Sequence, residues 1–418
     1  MEPLDHLFRR ESGRMVGTLT RLFGIHNLAL AEDVVQDAFC RALEVWQFKG
    51  VPENPSAWLI ATAKNRAIDV LRRERTARTF APDIARQLES EWTLASTVNE
   101  SFSPHAIKDD QLRMMFSCCH PRLREEAQVA LVLHLICGFS VDEIAAAFLN
   151  SHSAVEKRIT RSKKVLMGSK SLFDLTDSDF SARLSTVHRA VYLLFNEGYH
   201  GASPNAAIRA ELCMEAIRLA SILLDHQLAS TPASYALSAL MHLNAARLPA
   251  RVDSAGNFVI LFDQDRSLWN RELVAEGQRL LDMSATGPEL TDYHVEAAIA
   301  DVHSRAKSAD ETDWGTIVSL YDALMKIRPS PVVALNRAVA IAQLEGPLRG
   351  LEEIGAIVDL ERLSIYPFYF ATLGELEHRC GRVDVSHNHF QAALALARNP
   401  MERRFLEHRV TQPQANRH

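Results

Sequence analysis

Two neighbouring stretches of opposite charge hold the residues whose types and spacing could do chemistry. In the first, Val34 or Val35, Ala38, Ala42 and Val45 recur at the helical period, with Phe39 and Leu43 widening the apolar stripe. Asp33, Gln36, Asp37 and Glu44 are left outside, with Arg41 among them. Solubility alone would produce a charged outer face, so the neighbouring helix decides how to read this one. There Ile60, Ala63, Ala67 and Leu71 form a buried seam, and Trp58, Thr62, Asn65, Asp69, Arg72 and Arg73 lie opposite, with Lys64 and Arg66 adding charge. An aromatic ring, amide and carboxylate groups for base edges, and guanidiniums for phosphates are the mixture that capture of a single strand requires. Cations alone would give only salt-sensitive, sequence-blind binding. Side by side, the two faces suit a chain that grips a basic protein partner and nucleic acid together. A merely solvated basic helix is the alternative.

A second basic patch has helix-turn-helix geometry. Ser140-Val141-Asp142-Glu143 is a capping box opening a short helix with Ile144 and Phe148 inward, and Asn150-Ser151-His152 makes the break. Ser153-Ala154-Val155-Glu156 reads as another capping box, opening a helix whose buried stripe is Val155, Ile159, Ser162 and Leu166. Lys157, Thr160, Arg161 and Lys164 then project outward, with Arg158 and Lys163 beside them, as a recognition helix entering a major groove would require.

An all-α chain is needed to position these faces. Apolar content of 47% with 7% aromatics points to an Ala- and Leu-rich protein, and 418 residues exceed one hydrophobic core. Residues 1–76 read as helices broken at Gly24 to Asn27 and Gly50 to Pro55, 77–104 as a linker, 105–170 as a second small helical domain, and 171–418 as a helical extension. In the extension, Pro331 to Gln343, Pro347 to Val358, Tyr366 to Cys380 and Val383 to Ala397 pair as helix–turn–helix units. Their turns at Gly346 and Gly381 are 35 residues apart, near the tetratricopeptide (TPR) period of about 34. Phe370, Leu373, Gly374, Phe390 and Ala393 supply the anchor, the small crossing residue and the packing pair of such a repeat. Ala250 to Phe262 reads as one small β-hairpin turning at Gly256.

The net charge of −6 is uneven: residues 1–171 carry 23 Lys and Arg against 21 Asp and Glu, and the remainder 23 against 31. A nucleic-acid role therefore belongs to the front of the chain. Cys40, Cys118, Cys119, Cys137, Cys213 and Cys380 show neither a disulfide framework nor zinc-ligand spacing, and the adjacent thiols of Cys118-Cys119-His120 are poorly placed to share a tetrahedral ion. No metal or cofactor is expected. No nucleotide-binding, zinc-protease or serine-hydrolase motif is present, and the seventeen histidines are dispersed, so an enzyme is not expected either. The acidic start lacks a signal-peptide pattern and no apolar run nears the roughly 18 residues of a membrane span, which gives the expectation of a cytoplasmic protein.

Residues 1–170 resemble bacterial RNA polymerase sigma factors of the extracytoplasmic-function group. The run A-E-D-V-V-Q-D-A-F-C-R-A (31–42) looks like region 2.2, P-S-A-W-L-I-A-T-A-K-N-R-A-I-D-V-L-R-R (55–73) like regions 2.3 and 2.4, and 139–149 with A-V-E-K-R-I-T-R-S-K (154–163) like region 4.2. The resemblance implies that Asp33, Gln36, Asp37, Arg41 and Glu44 dock on core polymerase, whose β′ clamp and β flap would be contacted. It implies that Trp58, Thr62, Lys64, Asn65, Arg66, Asp69, Arg72 and Arg73 melt and read a −10 promoter element. Ser153, Lys157, Arg158, Thr160, Arg161, Lys163 and Lys164 would read the −35 element. Glu156 departs from the family, which commonly has Lys there. Tyr192 to Tyr199 and the helices beyond it look like the TPR-like extension of one subgroup, offering a groove for a protein or peptide ligand. A helical-repeat DNA-binding regulator without polymerase contact is the competing reading.

Overall fold

The computed structural model describes residues 4–77, 98–102, 104–147, 151–168, 176–200, 209–254 and 256–411. Among them the chain is helical, and it divides into two compact units, 1–194 and 195–418. No helix among the described residues is long and apolar enough to cross a membrane.

The first unit opens with α1 (Leu4–Phe23), α2 (Leu28–Lys49) and α3 (Pro55–Ala77). Glycine ends both α1 and α2: Gly24 and Gly50 have φ of 83° and 78°, a region that other residues enter at a cost. Asn54 then starts α3, its side-chain oxygen accepting from the Ala57 amide at 3.0 Å with Pro55 just inside the helix. Met15, Val16, Leu19 and Phe23 of α1 pack into a core with Val34, Val35, Ala38, Ala42 and Trp46 of α2 and Leu59, Ala63, Ala67 and Leu71 of α3. Two expectations need correcting. Leu59 takes the seam position expected of Ile60, because 59, 63, 67 and 71 keep an unbroken four-residue ridge, and Leu43 is solvent-exposed while Trp46 fills the stripe.

Next come α4 (Pro104–Cys118), α5 (Glu125–Leu131), a π-helical turn (Val132–Ile136), α6 (Val141–Ala147) and α7 (His152–Met167). Most of the expected linker lies outside the described residues, as do Phe148 and Asn150; within it, however, 98–101 form a helical turn anchored by buried Val98 and Phe102. Here α1 is the central element, touching α2, α3, α4 and the π-turn. Its Gly13 meets Ile136 backbone to backbone, so closely that a Cβ would lie 1.8 Å from the Ile136 oxygen, and Gly17 crosses the Asp110 backbone. Arg21 bridges to the buried Asp110 carboxylate at 2.7 Å. Then α8 (Asp177–His200) begins by packing Phe180 against Phe116, the rings tilted and their centres 4.5 Å apart.

In the second unit, α9 (Ala210–Leu224) to α18 (Pro400–Thr411) succeed one another through short turns. Gly198 marks where α8 crosses α9: a Cβ there would sit 2.7 Å from the Arg209 oxygen and the Leu212 Cβ. The repeat-like helices are α14 (Pro331–Leu344), α15 (Pro347–Gly355), α16 (Pro367–Arg379) and α17 (Val383–Ala395), with turns at Gly346 and Gly381, both of positive φ. Gly374 faces the Phe390 ring, and Phe390 and Ala393 are buried with Leu406 while Phe370 packs alongside. The hairpin is reduced to a single antiparallel bridge, Val252 to Phe258, and 261–263 turn into a 3-10 helix. Two short strands with no sheet to join among the described residues cannot extend further.

Candidate nucleic-acid interface

On α2, Asp33, Gln36, Asp37, Arg41 and Glu44 are all exposed, as the helical period requires. The same face carries two large apolar side chains that the sequence reading missed: Leu43, 55% exposed, and Phe48, 85% exposed. Exposed apolar groups amid charges are the composition of a protein-docking surface. The signal was available, since Phe48 falls outside the buried period.

On α3, Asn65, Asp69, Arg72 and Arg73 are exposed, whereas Trp58, Thr62, Lys64 and Arg66 are half-buried. Trp58 lies edge-on to Trp46 at 5.4 Å, so part of its ring already belongs to the core. The Thr62 hydroxyl donates back to the Trp58 carbonyl at 2.9 Å, and Lys64 donates to Asn99 at 2.9 Å. Arg66 pairs with Asp37 at 2.8 Å, joining the acidic and the basic helix directly. Arg72 stands 4.0 Å from Asp69. The outer line of α3 is thus an amide, a carboxylate and two guanidiniums open to solvent.

The helix-turn-helix forms with one correction. The first capping box is present: Ser140 accepts from the Glu143 amide at 3.2 Å, and Glu143 accepts from the Ser140 amide at 2.9 Å. The second is not. Ser151 caps α7, its hydroxyl oxygen accepting from Ala154 N at 3.3 Å, which puts Ser153 inside the first turn and leaves Glu156 near His152. A cap at Ser151 lets the helix begin at His152, two residues earlier than a cap at Ser153 would allow. Val155, Ile159, Ser162 and Leu166 are buried, and Ser153, Lys157, Thr160, Arg161 and Lys164 are exposed.

Arg158 and Lys163 turn away from that outward row. Arg158 pairs with Glu126 of α5 at 3.1 Å. The Lys163 ammonium lies 2.7 and 2.9 Å from the two Glu32 oxygens and 3.1 Å from His134 Nε2, and His134 is itself 3.4 Å from Glu32. Burial pushes the Glu32 carboxyl up, but the His134 hydrogen bond and the Lys163 charge outweigh it and hold the group below its ordinary value. This cluster clamps α7 to α2 across 131 residues of sequence. The adjacent thiols of Cys118 and Cys119 are buried, the first raised well above and the second to about 12, chiefly by burial, so both are protonated at neutral pH. Among the described residues no three His, Cys, Asp or Glu side chains are grouped to hold a metal ion.

Comparison with known proteins bears on these helices directly. Residues 7–77 match the family described as Sigma-70 region 2, residues 113–166 the family Sigma-70, region 4, and residues 183–285 a family of unknown function. An uncharacterized protein of Rhizobium meliloti is 38% identical over 95% of this chain and 94% of its own length. The RNA polymerase sigma factor CarQ of Myxococcus xanthus is 31% identical over 37% of this chain and 87% of its own. A Mycobacterium tuberculosis protein named "Probable ECF RNA polymerase sigma factor SigI" is 25% identical over 40% of this chain and 56% of its own. No solved structure matches.

Proposed function

Because the chain belongs to the extracytoplasmic-function group of the sigma-70 family, with a C-terminal extension beyond the two shared regions, we propose that it binds core RNA polymerase through α2 and brings α3 and α7 to promoter DNA. The observation that carries this reading is the juxtaposition on α2 and α3 of two exposed faces, one acidic with Leu43 and Phe48, the other presenting Asn65, Arg72 and Arg73. A regulator working without polymerase has no use for the first face. The −10 contacts fall to Trp58, Thr62, Lys64, Asn65, Arg66, Asp69, Arg72 and Arg73, and the −35 contacts to the outward row of α7. Strand opening loses stacking energy, which flipped bases regain in pockets lined by Asn65 and the open edge of Trp58. The protein does no chemistry of its own; the polymerase does.

Distance adds a requirement. The two promoter elements are about 25 base pairs apart, or roughly 85 Å at about 3.4 Å per pair. A compact unit of 194 residues has a radius of gyration of about 16 Å. One closed unit cannot touch both elements, so α7 must part from α1 and α2 when the promoter is engaged. The Glu32–Lys163–His134 cluster holds the closed form together.

The extension is assigned control of this engagement. In support, the match to CarQ takes in 37% of this chain yet 87% of CarQ, whereas the R. meliloti relative aligns over 95% of this chain, extension included. Run-off transcription with purified core polymerase over a promoter library tests the whole reading. Arg72→Ala with Arg73→Ala is expected to reduce open complexes at least tenfold and to lower the salt dependence of binding by about two phosphate contacts, with polymerase pull-down intact. Unaltered melting in that variant, or no retention of the wild-type chain by core polymerase, would refute it.

A further inference from the structure

The geometry points to a binding site for a dianionic phosphate group in the C-terminal unit, centred on Arg247 and Arg251. Both follow α10 (Pro232–Ala245). Arg251 is 4% exposed; its guanidinium stands 3.8 Å from the centre of the Tyr199 ring and 5.2 Å from that of Phe258, and one Nη donates to the Tyr199 carbonyl at 3.1 Å. Arg247 lies 5.6 Å from the Trp269 ring and 6.0 Å from Tyr199, with a long 3.4 Å bond to Asn244. The Nε of each arginine and the buried indole N–H of Trp269 have no acceptor among the described residues.

The chain satisfies other buried or half-buried arginines. Arg266, stacked 5.2 Å from the same Trp269 ring, donates to the carbonyls of His303 and Ala306 and to the Thr312 hydroxyl. Arg209, Arg218 and Arg337 pair with Glu211, Glu215 and Asp322 within 3.1 Å. Arg247 and Arg251 have no carboxylate within 4.0 Å among the described residues, and the residues of this unit outside that description (201–208, 255 and 412–418) contain no Asp or Glu. The surroundings do not compensate. His303 is pushed down to about 3 by burial and by the charges of Arg247 and Arg266, so it stays neutral, and burial pushes the Tyr321 phenol well above its ordinary range, so no phenolate is present at neutral pH.

Two uncompensated guanidiniums in a water-poor site are unfavourable unless an anion joins them. A phosphate near pH 7 carries a charge of about −1.5 to −2 and three oxygens that suit the guanidinium fork, whereas a monocarboxylate would leave one cation unbalanced. Arg247 and Asn244 are only half-buried and give the entrance.

Calorimetry and thermal melting of the full chain test this, with inorganic phosphate and glycerol phosphate as probes and acetate or sodium chloride at matched ionic strength as controls. Saturable binding of one phosphate per chain, with a melting temperature raised beyond the chloride control, is expected. Tighter binding of glycerol phosphate would identify an ester as the ligand class, and weaker binding the free anion. Arg247→Met should weaken phosphate binding at least tenfold, yet leave the ligand-free protein as stable as the wild type or more so, because a repelling charge is gone. Arg305→Met, which removes an exposed partner of Asp301, should leave binding unchanged. Phosphate stabilisation no greater than that by chloride, or an Arg247→Met variant of lower stability with phosphate affinity within twofold of wild type, overturns the proposal. The half-buried Arg247 carries the test even if Arg251→Met fails to fold.

Discussion

Replacing Glu32 by Gln should open the front unit while leaving every residue of the exposed α2, α3 and α7 rows in place. Glu32 and Lys163 are 25% and 21% exposed, between the exposed pairs that contribute about 0–1 kcal/mol and the buried ones whose disruption costs about 3–5. Lys163 makes two bonds to the carboxylate and one contact to His134, and a hydrogen bond to a charged group is worth about 1.5–3 kcal/mol. Glutamine keeps one acceptor and loses the charge, so a loss of about 1.5–2 kcal/mol is expected, or about a 10- to 30-fold larger open fraction. Cys118 reports on it: the thiol is buried within electrostatic reach of both Lys163 and Glu32 and reacts with a thiol reagent only when the unit opens. At fixed pH its labelling rate, read by peptide mass, should rise by that factor. The sign with pH is fixed as well. Glu32 is held below its ordinary value, so its contribution is complete above about pH 4.5 and is lost as the pH falls through the depressed value, where the variant's excess rate should fall away. Labelling of Cys118 within twofold of wild type would show that the cluster does not hold α7.

Three further outcomes follow from the packing. Gly13→Ala forces a Cβ into the Ile136 backbone, where no side chain can yield, and should destabilise the front unit by about 3 kcal/mol or more; a melting temperature within a degree of wild type would contradict the contact. Leu43→Asp with Phe48→Asp should abolish retention by core polymerase while the protein melts normally, because both side chains are already in water; full retention would remove α2 from the docking surface. A fragment ending at Lys170 loses the helix that covers Phe116 and should be about 3 kcal/mol less stable than one ending at His200; equal melting of the two would show that α8 contributes nothing to the front core.

What could be read from the sequence was local. The Ser140–Glu143 box, the buried stripe of α7 and the paired helices around Gly346 and Gly381 each depend on residues a few positions apart, and each formed. Ser151 and Ser153 are both capable caps, and nothing local chooses between them. The ridge through Leu59 instead of Ile60 depends on how α3 crosses its neighbours. The apolar run Phe258 to Leu261 is strand-like, but a strand needs a sheet and the described residues offer none. Least legible was Lys163: its spacing puts it beside a basic row, and only the fold brings Glu32 to it. Exposure of the remaining α7 row and of Asn65, Arg72 and Arg73 leaves the candidate surfaces available to partners.

The bond between Arg66 and Asp37 gives the two front helices a shared currency. An exposed pair of this kind is held by about 1 kcal/mol at most, so a basic group on an incoming polymerase can take the aspartate cheaply. On the reading proposed above, docking would set Arg66 loose on α3, and the grip on the promoter would strengthen only once the enzyme had arrived.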